Sequence, residues 1–329
     1  MKNKSLVLGK LLDFHIGHEA LIRFAQSKAK STIVLLCKSD LDRRPVAQRE
    51  DWIKKTFGNT IELVIVDQEK EGLEQKEESD RGVSEQWAKW VDEKFPEVDL
   101  LVGSEDYVRY MADYGNFDFE LFDIDREEFP CSSTSVNAGA YEFRSEAAKF
   151  DLSKPVVFLG PESTGKTTAV HLLGGELGVD MVFEAARKLM SPDGTFTWQD
   201  LDRFALQQRL DIDLAIRDSK SEIILIDSSA FTTASYSVQQ FGDISDTVSA
   251  LIALETAQNY NYLVFAPDVP IVDDGTRHST DHERQVFYAQ TIDWMERLGL
   301  PYRVVNGKDY AARIEFAKNI ILTGDYENA

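Results

Sequence analysis

The chain has 329 residues, 36 basic and 57 acidic, for a formal charge of −21. At about 150 residues per domain two domains are expected, and 43% hydrophobic with 28% charged residues excludes disorder over the whole chain. So acidic a surface repels phosphate backbones and anionic lipid heads, which argues against general nucleic-acid or membrane binding and makes local basic clusters the places to look for an anion.

Only Cys37 and Cys131 occur, too few for a disulfide scaffold or a zinc site. The opening stretch MKNKSLVLGKLLDF lacks the apolar core and small-residue cleavage site of a signal peptide, and no run approaches the ~18 apolar residues of a membrane span. A cytoplasmic chain with reduced thiols is expected.

In chain order, Ser5–Gly9 reads as a short apolar strand, followed by a loop and a helix over His18–Ala29. Thr32–Cys37, Ile61–Val66 and Leu100–Gly103 read as strands, and Asp51–Phe57 and Val83–Phe95 as helices. Asp67–Arg81, with seven acids, three bases and no apolar period, reads as a solvated loop. A second apolar strand, Pro155–Gly160, leads through a Gly-rich loop into the helix Thr167–Leu177. Glu222–Asp227, Tyr262–Phe265 and Tyr302–Val305 complete the strands, and Leu201–Ser219 and Arg284–Leu298 are amphipathic helices. Strands alternating with helices imply parallel sheets. Two first strands, each with its own loop, imply two α/β domains in tandem, divided within Ala140–Lys154 into residues 1–148 and 149–329.

Two loops carry chemistry. Gly160-Pro161-Glu162-Ser163-Thr164-Gly165-Lys166-Thr167 fits GxxxxGK[ST] between a buried strand and a helix, where backbone N–H groups nest phosphates. Lys166 would neutralise β- and γ-phosphates and Thr167 would ligate Mg²⁺. Asp227, at the end of its strand, would serve Mg²⁺ or accept a proton from an attacking hydroxyl, or simply cap the next helix. Glu184 and Arg187 lie near the same sheet edge. Arg277 and Arg284 suit a lid over phosphates, or surface pairs with Asp281 and Glu283. In the first half, His15-Ile16-Gly17-His18 begins a helix. No further ligand stands at zinc spacing, and paired imidazoles there suit a triphosphate and the charge developing at its α-phosphate.

The first half resembles the HxGH nucleotidyltransferase superfamily, and the order of both halves resembles the NadR type, a nicotinamide-mononucleotide (NMN) adenylyltransferase joined to a nicotinamide-riboside kinase. The resemblance rests on GKLLDFHIGH, RRPVAQREDWIKKTF, WAKW, SED at Ser104, FDIDR and SSTSV, then on GPESTGKT, FEAAR, IDSSAFTT and VDDGTRHS. It implies a Rossmann-like nucleotidyltransferase domain followed by a P-loop kinase domain, with ATP and Mg²⁺ as cofactors. The substrates and products it implies are nicotinamide riboside, NMN and NAD, and homo-oligomers occur among such proteins.

Residue by residue, Gly9, Lys10, His15, His18, Arg126, Ser132, Ser133 and Thr134 would bind ATP in the first domain. Arg49 would contact NMN, and Trp87 or Trp90 would stack on its ring; the same pair also reads as a core stripe at i and i+3. In the second domain Gly160–Thr167 with Arg277 and Arg284 would bind ATP, and Glu184, Arg187 and Asp227 would face the riboside. His15, His18, Lys166 and Asp227 are the candidate catalytic residues.

The chain departs from the resembled pattern in four places. Asp13 replaces a Pro before HxGH, Asn137 the Arg ending SSTxxR, Ser229 an Asp, and Ile271 a Trp. Arg144 is the nearby cation that would replace the missing Arg. Two other readings stand beside this one: a kinase whose first domain is a degenerate nucleotide sensor, and a pantetheine-phosphate adenylyltransferase joined to a dephospho-coenzyme A kinase. WAKW and VDDGTRHS speak against the last.

Overall fold

The computed structural model describes every residue except 75–78, 192–193, 259, 272–278 and 328–329. It divides into two compact units, Met1–Asp151 and Leu152–Ala329. The first unit ends after 148 because Asp151 accepts hydrogen bonds from Gln48 Nε2 (2.7 Å) and Trp52 Nε1 (2.9 Å), which tie the end of its last helix back onto it.

The first unit runs β1 (Lys2–Gly9), α1 (Ile16–Lys28), β2 (Ala29–Lys38), α2 (Val46–Phe57), β3 (Glu62–Asp67), α3 (Gln68–Glu71) and α4 (Arg81–Lys94). It continues with β4 (Leu100–Gly103), α5 (Tyr107–Ala112), β5 (Asp118–Leu121), α6 (Ser133–Asn137), a 3₁₀ turn at Tyr141–Phe143 and α7 (Glu146–Leu152). Its five strands are all parallel, in the order β3-β2-β1-β4-β5. Thr32–Cys37 is buried throughout, as a strand covered on both faces must be. On one face Leu6, Ile33, Leu35 and Leu101 meet Trp87, Ala88 and Val91 of α4 and Met111 of α5. The acidic stretch after β3 is not the open loop that its charge suggests. It opens with α3, capped by Asp67, and Leu73 enters the core, an apolar anchor within the charged sequence.

The second unit runs β6 (Lys154–Leu159), α8 (Lys166–Leu177), β7 (Asp180–Val182), α9 (Ala186–Leu189), α10 (Trp198–Asp218) and β8 (Ile223–Asp227). It ends with α11 (Ala230–Phe241), α12 (Asp246–Thr256), β9 (Asn261–Phe265), α13 (Asp281–Arg297), β10 (Tyr302–Val305) and α14 (Tyr310–Thr323). Its five strands are again parallel, in the order β10-β9-β6-β8-β7. Val156, Phe158, Leu225, Leu263 and Phe265 pack against Val170 and Leu173 of α8 and Ala317, Ile320 and Ile321 of α14.

Both sheets place their first strand in the middle, so the connection reverses direction beside β1 and beside β6. In an open parallel sheet the crevice at such a point is where ligands bind. The loops leaving those two strands are the HxGH and GxxxxGKT segments.

Candidate functional site

In the first unit, β1 ends at Gly9 and the chain turns through Leu11, held at φ 48°, before His15 starts α1 in extended conformation. Its N-cap residue makes no side-chain cap, so the positive end of the helix is left for other partners. The His15 and His18 rings stack at 3.7 Å with an interplanar angle of 22°. Burial, with Arg126 nearby, pushes His15 down to about 4. Burial, then His15 and Arg126, pushes His18 well below the usual imidazole range. Both rings are therefore neutral near pH 7, able to donate or accept through N–H and N, and Arg126 is the fixed charge beside them.

Two cavities adjoin the rings. One, of about 340 Å³, is lined by Gly9, Lys10, His18, Asp80, Ser84 and Trp87 among others. The second, of about 190 Å³, is lined by His15, His18, Arg126, Cys131 and Ser132–Thr134. His18 and Ser133 belong to both walls. Arg126 is held at φ 54° with its Nη1 donating to Cys131 O at 3.3 Å. Ser132 caps α6, reciprocally with Ser135. Lys10 Nζ pairs with Asp42 at 2.8 Å.

Three expectations need correction here. Arg49 is fully buried and lines neither cavity: it donates to Lys10 O, to Cys37 O (3.0 Å) and to Asp42 (2.8 Å), bracing the loop after β1 from behind. Trp90 packs edge-on against Trp87 and donates to Glu71 at 2.9 Å, so the large cavity's lining takes in Trp87 and leaves Trp90 out. Arg144 is not free to replace a missing cation, because it is buried, over the Tyr141 ring, and paired with Asp13 at 3.3 Å. Asn137 itself is exposed on α6.

Asp13, the residue standing where the resembled pattern has Pro, is fully buried and receives Arg43, Arg44 and Arg144. Arg43 goes on to donate to Ser133 O at 3.0 Å, linking this cluster to the cavity wall. The sequence marks Asp13 only as an oddity, because its partners lie some 30 and 131 residues away.

In the second unit the loop from Gly160 to Thr167 wraps the start of α8. Gly160 sits at φ 129°, and a Cβ there would lie 2.4 Å from Phe265 O, so only glycine fits. Ser163 (φ 59°) and Gly165 (φ 90°) complete the turn. Pro161 O accepts Thr164 Oγ1 at 2.8 Å and Lys166 Nζ at 2.7 Å. Two buried guanidiniums hold the loop's outer carbonyls: Arg284 Nε on Glu162 O (3.2 Å) and Arg313 Nη2 on Thr164 O (3.3 Å). With these carbonyls satisfied on one side, the loop N–H groups remain for an anion.

Thr167 Oγ1 donates to Asp227 Oδ2 at 2.6 Å, and Arg187 reaches the same hydroxyl at 3.4 Å while pairing with Glu184 at 3.0 Å. Burial lowers Lys166, opposed by Asp227 and Glu184, and burial followed by Asp227 raises Glu184. Lys166, Thr167, Glu184, Arg187 and Asp227 are thus gathered at one sheet edge. Arg284 is 1% exposed and belongs to this loop's support rather than to a lid. The Arg277 expectation lies outside the described residues. Arg313, on α14, carries no local motif in the sequence, because two of its three carbonyl partners, Thr164 and Ala266, lie 149 and 47 residues away.

Among the described residues no cluster of three or more His, Cys, Asp or Glu is arranged to hold a metal by itself, and no helix is long and apolar enough to cross a membrane.

Residues 155–313 match the family described as AAA domain. No curated protein matches the chain in sequence. Among solved structures, a NadR protein in complex with NAD and AMP-PNP is 18% identical, with a TM-score of 0.58 over 100% of this chain and 98% of that one. A NadR protein in complex with NR gives 18% identity and a TM-score of 0.59 over 100% and 97%. The chain therefore shares the NadR fold over its whole length.

Proposed function

We propose that the chain is a bifunctional transferase of NAD salvage. The second unit uses ATP to phosphorylate the 5′-hydroxyl of nicotinamide riboside. The first transfers AMP from another ATP to the NMN formed, giving NAD and releasing pyrophosphate. The observation that carries this reading is the whole-length fold likeness to NadR proteins seen with NAD, AMP-PNP and NR, matched by an anion-type loop at each sheet's reversal point.

In the second unit, phosphoryl transfer asks for positioning and charge more than for covalent chemistry. The Gly160–Thr167 N–H groups cradle the phosphates, Lys166 neutralises them, and Asp227 with Glu184 orients the riboside hydroxyl. Magnesium suits the Thr167–Asp227 pair, a hydroxyl and a buried carboxylate at hydrogen-bond distance, both hard oxygen donors. When bound, the ion would neutralise charge on the phosphates, with Thr167 and Asp227 as its protein-side holders.

In the first unit, a phosphate oxygen of NMN attacks the α-phosphorus of ATP, and the bond to the bridging oxygen of pyrophosphate breaks. The neutral His15 and His18 donate hydrogen bonds to the charge that builds there, beside Arg126. The larger cavity takes the NMN, its cationic ring against Trp87 and near Asp80.

One observation favours a second reading, a kinase with a sensing first unit: the exposed, uncharged Asn137 at the end of α6. Incubating the protein with riboside, ATP and Mg²⁺ and separating riboside, NMN and NAD decides. NAD supports the bifunctional reading, an arrest at NMN supports the second, and no phosphorylation refutes both.

A further inference from the structure

Cys131 and His15 are 116 residues apart, and each is about 5% exposed or less. Their side chains meet at 3.3 Å, Sγ to Nδ1, in the wall of the smaller cavity. Gly17 leaves room beside the contact: a Cβ there would stand 3.1 Å from His15 Nδ1 and 3.3 Å from Cys131 Sγ. A side chain at residue 17 would press on both partners.

Which atom donates follows from the chemistry of the two groups. A thiol sulfur is a weak acceptor and an imidazole nitrogen a good one, so across the 3.3 Å contact the thiol proton is the one shared. Burial pushes the Cys131 thiol up and His15 down, so the pair is thiol and neutral imidazole rather than thiolate and imidazolium. His18 lies against the face of the His15 ring, 3.7 Å between centroids, and makes no in-plane claim on either nitrogen.

We propose that Cys131 is a positioning residue whose S–H donates to His15 Nδ1, fixing the imidazole as the Nε2–H tautomer and so making His15 a hydrogen-bond donor to a phosphate oxygen in the cavity it shares with Arg126. The opposite tautomer would present a lone pair at Nε2, which repels a phosphate oxygen. A neutral imidazole is a donor at one nitrogen only, and its partner at the other decides which. The purpose assigned to the donor rests on the adenylyl-transfer reading; the tautomer assignment does not.

The test uses the full chain with ¹⁵N-labelled histidine. There are five histidines, and His15 is assigned by the signal lost in His15→Gln. Long-range ¹H–¹⁵N correlation reads the tautomer directly. The expected result is the Nε2–H form in the parent and in Cys131→Ser, and a mixed or Nδ1–H form in Cys131→Val. An Nδ1–H parent, or a Cys131→Val spectrum unchanged from it, overturns the proposal. In NAD synthesis, Cys131→Val is expected to lose up to about a hundredfold in kcat, the loss of one preorganised donor. Cys131→Ser should keep kcat within a few-fold. If the parent shows the Nε2–H form but transfers no AMP, the functional reading fails while the tautomer assignment stands.

Discussion

Glu255 provides the most quantitative test of the second unit. It lies on α12, 4% exposed, accepting Tyr262 OH at 3.1 Å and Ala230 N–H at 3.4 Å. Burial raises it from 4.5 to about 7, against the opposing pull of hydrogen bonds from Ser229, Tyr262 and Ala230 and of the Arg209 charge. The folded state thus binds a proton that the unfolded state releases. Its stabilisation is complete below the unfolded value and is lost as pH rises through the folded one. A shift of that size corresponds to about 3 kcal/mol, most of it lost between about pH 5 and pH 7. Glu255→Gln removes the titration while keeping an acceptor for Tyr262. Native-state hydrogen exchange of α12 and β9 amides reports the opening of this unit. The parent's opening free energy should fall with pH across that window and the variant's should stay level, so that the variant is the more stable protein at pH 8. Parallel pH profiles for the two proteins would refute the reasoning.

Four further outcomes are expected. Gly160→Ala combines a left-handed φ of 129° with a Cβ 2.4 Å from a backbone oxygen, and should cost about 3 kcal/mol or more in urea unfolding and abolish ATP-analogue binding by the second unit; Gly175→Ala, an exposed helical position with open space around its Cβ, should instead gain about 0.5–1 kcal/mol. Asp13→Asn leaves three guanidiniums without their common carboxylate and should destabilise the first unit by about 2–3 kcal/mol in thermal unfolding, less than a fully buried set would because Arg43 and Arg44 are partly exposed. Arg313→Met strips donors from Gly307 O, Thr164 O and Ala266 O, and should lower stability by about 2–4 kcal/mol and weaken ATP-analogue binding, measured by calorimetry.

The sequence was most legible where a motif is local. A strand, a glycine turn and a helix N-terminus follow one another within about a dozen residues at β1–α1 and at β6–α8, and backbone chemistry alone orders them. The same locality identified His15, His18, Lys166 and Thr167. Strand–helix alternation was enough for two parallel α/β sheets, because a parallel connection requires a crossover. Short elements escaped: β5, α6 and α12 carry too few residues, or too even an apolar spread, for periodicity to register.

What the fold alone decided is the fate of the arginines and the orientation of the rings. Arg49, Arg284 and Arg313 share a residue type with Arg126 and Arg187, yet the first three are buried on backbone carbonyls while the last two stay at the sites. A guanidinium carries the same sequence signal whether its partner is a ligand phosphate or a loop carbonyl; only the packing around it settles which. Asp13 with its three arginines, and Cys131 with His15, join residues far apart in the chain, and no spacing rule reaches across such a gap. By itself the sequence determined which groups are available and which loops leave the sheet centres. The tertiary structure determined which of those groups are buried to hold the loops and which are left to meet a ligand, because burial and partner are properties of the packed chain and not of the residue.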